Sequence, residues 1–169
     1  MRKSEATKIA FGGVMAALAV VLMGLGGLIP LATFVCPIFS MILLSIVLRL
    51  CDTRIGWAWY GAVAILGILL GPDKEASAVF AFFGYYPILK PKMDKLMLDR
   101  LWKFLFFNSV VLLMYWILIN LLGLADIAKE FNELGTIMTV VTLILGNMIF
   151  FMLDKILSRI AVINKWGRK

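Results

Sequence analysis

Apolar residues run in six blocks, at about 8–29, 33–50, 55–71, 76–90, 101–124 and 134–160, with charged residues in the gaps between them. A helix needs roughly 20 apolar residues to cross the hydrocarbon layer, so the pattern predicts an all-α, polytopic membrane protein of about six transmembrane helices. The first block continues to Ile29, past an Ala17-Leu18-Ala19 triplet that resembles a signal-peptidase site, and so reads as a retained span. The fourth is the shortest and closes on Gly84-Tyr85-Tyr86-Pro87 and Lys90-Pro91-Lys92, the pattern of a tilted or partly re-entrant span. No stretch is left for a soluble domain, and residues 1–169 read as a single transmembrane domain.

Composition points the same way. Of 169 residues 63% are hydrophobic and 16% charged, against about 45–50% and about 25% in soluble domains. Charge adds an orientation. With the N-terminus inside, 15 of the 17 Lys and Arg residues fall on the inner side, and only Lys74 and Lys129 fall outside. Positive residues collect on the cytoplasmic side, so both termini are expected there, in a multi-pass protein of the cell membrane. The net charge of +7 then divides into +10 inside and −3 outside. This basic balance predicts anionic lipid headgroups as partners and makes no case for nucleic acid.

Missing residues narrow the chemistry. There is no histidine, the only cysteines are Cys36 and Cys51, and no GxxxxGKS or GxxxxGKT stretch occurs. On one helix those cysteines would stand roughly 22 Å apart, beyond disulfide reach, so they read as packing residues. No Asp, Glu, Lys or Arg falls near the middle of a block, which argues against a proton relay and an intramembrane enzyme. No catalytic residue, metal ligand or cofactor is expected, and the chain has no nucleotide-hydrolysing loop of its own.

The first block carries small residues in register. At 100° per residue Ala6, Ala10, Gly13, Ala17 and Gly24 fall within about 60° of one another, and Gly12, Ala16 and Ala19 make a second stripe beside them. Small residues at four-residue spacing let helix backbones approach closely in lipid, either inside one bundle or against a separate subunit.

The stretch TKIAFGGVMAALAVVL, opening a six-span chain of this size, with Pro30 and Pro37 after it, resembles the substrate-binding S components of energy-coupling-factor (ECF) importers. The resemblance implies a small solute, such as a vitamin or related micronutrient, captured from outside. It also implies a transmembrane coupling subunit and two ABC ATPases as partners, docked through an AxxxA-type pattern. The matching positions are Ala6 and Ala10, continued by Gly13 and Ala17. The uncharged Pro30–Pro37 segment resembles the loop that lids the external pocket in that family. The substrate-specific signatures of the vitamin-binding members are absent.

Polar residues in the outer halves of the spans are the candidate solute ligands, because polar groups in lipid are costly unless they face a cavity or a partner. They are Thr33, Asn120, Thr136, Thr139 and Asn147. Thr136, Thr139, Thr142, Gly146 and Asn147 share an arc of about 140° on the sixth block. Asn108 reads as a tie between helices. Trp57, Trp59, Tyr60, Tyr85, Tyr86 and Trp102 are expected to form belts at the membrane interface. The segment from Lys90 to Lys103 is expected to lie on the inner surface with Leu96, Leu98, Leu101 and Trp102 toward lipid or a partner. The alternative reading is a small integral membrane scaffold or regulatory protein that carries no solute.

Overall fold

The computed structural model describes residues 5–25, 32–121 and 125–166, with the backbone alone for 32, 125–139 and 161–166. The described residues form helices joined by short turns: α1 Glu5–Leu25, α2 Ala32–Leu50, α3 Thr53–Leu70, α4 Lys74–Phe83, α5 Tyr86–Met93, α6 Asp99–Asn120 and α7 Ala125–Trp166. Five of them, α1, α2, α3, α6 and the Val140–Ile160 part of α7, are long and apolar enough to cross a membrane. The chain divides into two compact units, Met1–Lys92 and Met93–Lys169.

In the first unit, α1 packs against α2 and α3, and α4 packs against α2 and α3. The interior is built from Ala19, Met23, Leu44, Val47, Trp59, Val63, Phe80 and Tyr86. Close approach is bought by glycine. A Cβ on Gly56 would lie 2.3 Å from Leu48 Cδ2, and one on Gly67 would lie 2.7 Å from Met23 Cε. At Gly71 a Cβ would meet the Gly67 carbonyl oxygen at 2.3 Å and Ser77 Oγ at 2.5 Å. Buried Ser77 donates its hydroxyl to the same Gly67 carbonyl at 2.8 Å, so the α3–α4 hairpin closes on glycine and serine rather than on large side chains.

Proline does not mark the ends that the sequence suggested. Helix α2 begins at Ala32 and runs through Pro37, so six of the eight residues of the expected Pro30–Pro37 loop are helical, while Pro30 and Leu31 lie outside the described residues. Pro37 removes one donor, the one that would serve the Thr33 carbonyl, near the start of the helix where little of the ladder is lost. The fourth block is in two pieces, α4 of ten residues and α5 of eight, separated at Gly84-Tyr85. Pro87 cannot donate to the Phe83 carbonyl, which is where the helix breaks. Neither piece alone approaches the roughly 20 residues that a span takes.

Rings expected at the membrane interface also pack on one another in this unit. Trp57 stacks on Tyr85 with ring centroids 6.5 Å apart, Tyr60 meets Tyr85 edge-on at 5.7 Å, and Trp59 meets Phe80 at 6.3 Å. The Tyr60 hydroxyl donates to the Ala81 carbonyl. These rings join α3 to α4 and the turn after it, because aromatic edges and faces gain more from one another than from separate contact with lipid.

The second unit is an antiparallel pair. Helix α6 buries Lys103, Val110, Met114 and Leu118, and α7 buries Phe150, Leu153 and Leu157. Spacings of three and four make each set one stripe. Phe107 stacks on Phe150 at 4.9 Å, and Gly146 leaves room for Phe107, whose Cζ would stand 3.2 Å from a Cβ there. Leu98, which precedes α6, is left-handed at φ 68°, so the turn into the helix is a tight one.

Candidate functional site

The rotation of α1 about its own axis decides which small residues are free. Lys8 Nζ pairs with Asp52 at 3.1 Å, and the Cys51 thiol donates to the Lys8 carbonyl at 3.4 Å. These contacts fasten the first turns of α1 to the α2–α3 link. Gly12, Ala19 and Met23 then face inward, with Ile55 Cγ2 at 3.6 Å from a Cβ on Gly12. The other stripe faces out: Ala6, Ala10, Gly13 and Ala17 are all exposed, and a Cβ on Gly13 would meet nothing within 4 Å. Within the first unit, the second stripe packs inward, whereas Ala6, Ala10, Gly13 and Ala17 of the first are exposed and Gly24 is half-buried. Cys36 and Cys51 are both buried, and neither is in a disulfide.

The expected solute ligands are placed one by one. Thr33 donates its hydroxyl to Asp73 Oδ2 at 2.7 Å. The other oxygen of Asp73 accepts from the Ala76 amide at 3.0 Å and so caps α4. Thr33 therefore ties the start of α2 to the start of α4. Beside it, Lys74 donates to the Ile68 and Gly71 carbonyls at 2.9 and 3.1 Å, closing the end of α3. Asn120, at the end of α6, donates back to the Trp116 carbonyl at 3.0 Å. Thr136 and Thr139 lie on the α7 backbone, and their side chains are outside the described residues.

Asn147 meets Asn108, the residue read as a helix tie. Asn108 Nδ2 donates to Asn147 Oδ1 at 3.1 Å, and Asn147 Nδ2 donates to Asn108 Oδ1 at 3.2 Å. Each amide spends its second N–H on its own helix, Asn108 on the Phe104 carbonyl and Asn147 on the Leu143 carbonyl, both at 2.8 Å. All four N–H groups are committed, and what remains is acceptor capacity on the two carbonyl oxygens.

One cluster went unread in the sequence. Lys103, with its side chain 4% exposed, binds three carboxylates: Asp94 at 2.5 Å, Asp99 at 3.2 Å and Asp154 at 3.2 Å. It joins the loop before α6, the first turn of α6 and α7. The Asp99 and Lys103 spacing of four was the available signal, but it fixes no partner on α7. The segment that this lysine anchors leaves Leu96, Leu98, Leu101 and Trp102 exposed. In the first unit, the indole N–H of Trp59 and one guanidinium nitrogen of Arg49 are buried without a hydrogen-bond partner.

Among the described residues no group of His, Cys, Asp or Glu side chains is placed to hold a metal ion. A scan of protein-family models, a search of curated proteins and a search of solved structures find no match to this chain.

Proposed function

We propose that the chain is the membrane-embedded, solute-binding subunit of an importer of the ECF type, with both termini cytoplasmic and the fourth block completing six passes. It captures a small solute from outside and relies on a coupling subunit with ABC ATPases for work. The observation that carries this reading is the open face of α1. Ala6, Ala10, Gly13 and Ala17 remain exposed although the same helix uses Gly12 and Ala19 to pack within its own unit. In lipid a flat strip of small residues gains little from acyl chains and much from a second helix backbone at close range.

Co-purification tests the reading. Tagged full-length protein from its native membrane is expected to bring down a polytopic membrane subunit together with ABC ATPases. The Ala10→Trp, Gly13→Trp double variant is expected to lose them. Capture of neither by the native chain refutes the importer reading.

A second reading, a membrane scaffold without a solute, is favoured by one fact. The described polar residues expected to touch a solute, Thr33, Asn120 and Asn147, all hydrogen-bond within the protein. Retention of a vitamin-sized compound through purification, seen by mass spectrometry, decides for the importer subunit.

A further inference from the structure

A groove of about 670 Å³ runs between α6 and α7 in the second unit. Phe104, Ile144, Met148 and Met152 line it, together with the Asn108–Asn147 pair, and Lys155 stands at one end. The walls are otherwise apolar. From Val140 to Lys155 the α7 wall measures about 22 Å at 1.5 Å per residue, longer than the roughly 15 Å of hydrocarbon in one leaflet.

The pairing of the two helices fixes what lies beyond Lys155. Lys103 meets Asp154 and Asn108 meets Asn147, so the helices run antiparallel. Arg159 follows Lys155 by one turn on α7, and Arg100 precedes Phe104 by one turn on α6; each continues the face that lines the groove. Lys155, Arg159 and Arg100 are exposed. Lys155 and Arg159 have no ion pair among the described residues, since the nearby Asp154 is bound to Lys103. The groove therefore joins a long apolar wall to a cationic mouth. The asparagine pair does not interrupt it for a hydrocarbon guest, because neither amide has a free N–H that would demand an acceptor.

We propose that this groove is a binding site for one anionic phospholipid, with an acyl chain along α6 and α7 and the phosphate on Lys155 and Arg159. Cationic residues at the membrane end of a cleft between helices recognise acidic headgroups, and the apolar walls supply the rest of the contact. The site lies wholly within the second unit and does not depend on the importer reading.

Native mass spectrometry of the full chain in mild detergent tests it, with phosphatidylglycerol and phosphatidylcholine as probes. Phosphatidylglycerol is expected as a one-to-one adduct retained about tenfold more strongly than phosphatidylcholine. The Lys155→Gln, Arg159→Gln variant is expected to bring the two lipids within about twofold of each other. Lys155→Arg is expected to keep the preference. Filling the groove with Ile144→Trp or Met148→Trp is expected to weaken both adducts while the helical circular dichroism signal and its melting stay unchanged. Equal retention of the two lipids by the native chain overturns the proposal, as does a preference that survives in the double glutamine variant. Displacement of the lipid by millimolar glycerol phosphate also overturns it, because the phosphate alone would then account for binding.

Discussion

Asn108 on α6 and Asn147 on α7 hydrogen-bond to each other in both directions, at 3.1 and 3.2 Å. Each residue accepts one N–H of the other and gives its second to its own helix, so the pair behaves as one unit. Asn147→Leu alone leaves the Asn108 amide facing an apolar groove and is expected to destabilise the protein by about 1–2 kcal/mol. Asn108→Leu with Asn147→Leu removes both polar groups and is expected to cost less than the sum of the two single changes. Unfolding of the four forms in detergent, followed by circular dichroism, gives the coupling.

Lys103 yields an ordering among carboxylates. Asp154 is 16% exposed, whereas Asp94 and Asp99 are 41% and 43% exposed. The outer two rehydrate when unpaired, so each is expected to matter less than the Lys103 centre on substitution by Asn. Lys103→Met strands Asp154 beside the helix pair and is expected to cost about 3 kcal/mol. Denaturation of Asp94→Asn, Asp99→Asn and Lys103→Met in one detergent reads the order directly. A Lys103→Met variant no weaker than the exposed Asp variants contradicts it.

Two glycines on or beside α3 separate space from flexibility. A Cβ on Gly71 would meet the Gly67 carbonyl at 2.3 Å, while one on Gly61 would meet nothing within 4 Å. Gly71→Ala is expected to destabilise by about 1–3 kcal/mol. Gly61→Ala is expected to be neutral or to stabilise by up to about 1 kcal/mol, since alanine favours the helix. Thermal melting compares the two variants, and a Gly71→Ala protein as stable as Gly61→Ala refutes the close approach of Gly71 to Gly67 and Ser77.

Much of the helical layout was legible in the sequence, because block length and charged punctuation alone locate α1, α2, α3, α6 and most of α7. What escaped depends on partners distant in the chain. Pro37 looks like a loop boundary by residue type and sits inside α2, since one lost donor in the first turns of a helix costs little. Trp57, Tyr60 and Tyr85 look like interface residues by composition, and that they also pack on one another depends on pairings that composition does not give. At the candidate site the two stripes of α1 are equivalent by periodicity. Contacts distant in the chain, such as Lys8 with Asp52 and Gly12 with Ile55, go with burial of the second stripe. Asn108 was legible as a tie, but the identity of its partner, Asn147, required the antiparallel register of α6 and α7.

The importer reading stands on the proposed docking of another membrane helix against Ala6, Ala10, Gly13 and Ala17. A photo-crosslinking residue at Gly13 in the native membrane tests it most directly, with the same residue at exposed Leu112 on α6 as control. A discrete adduct is expected from Gly13 alone, with a polytopic membrane protein that itself co-purifies with ABC ATPases. Lipid adducts only, or the same protein adducts from both positions, would contradict it.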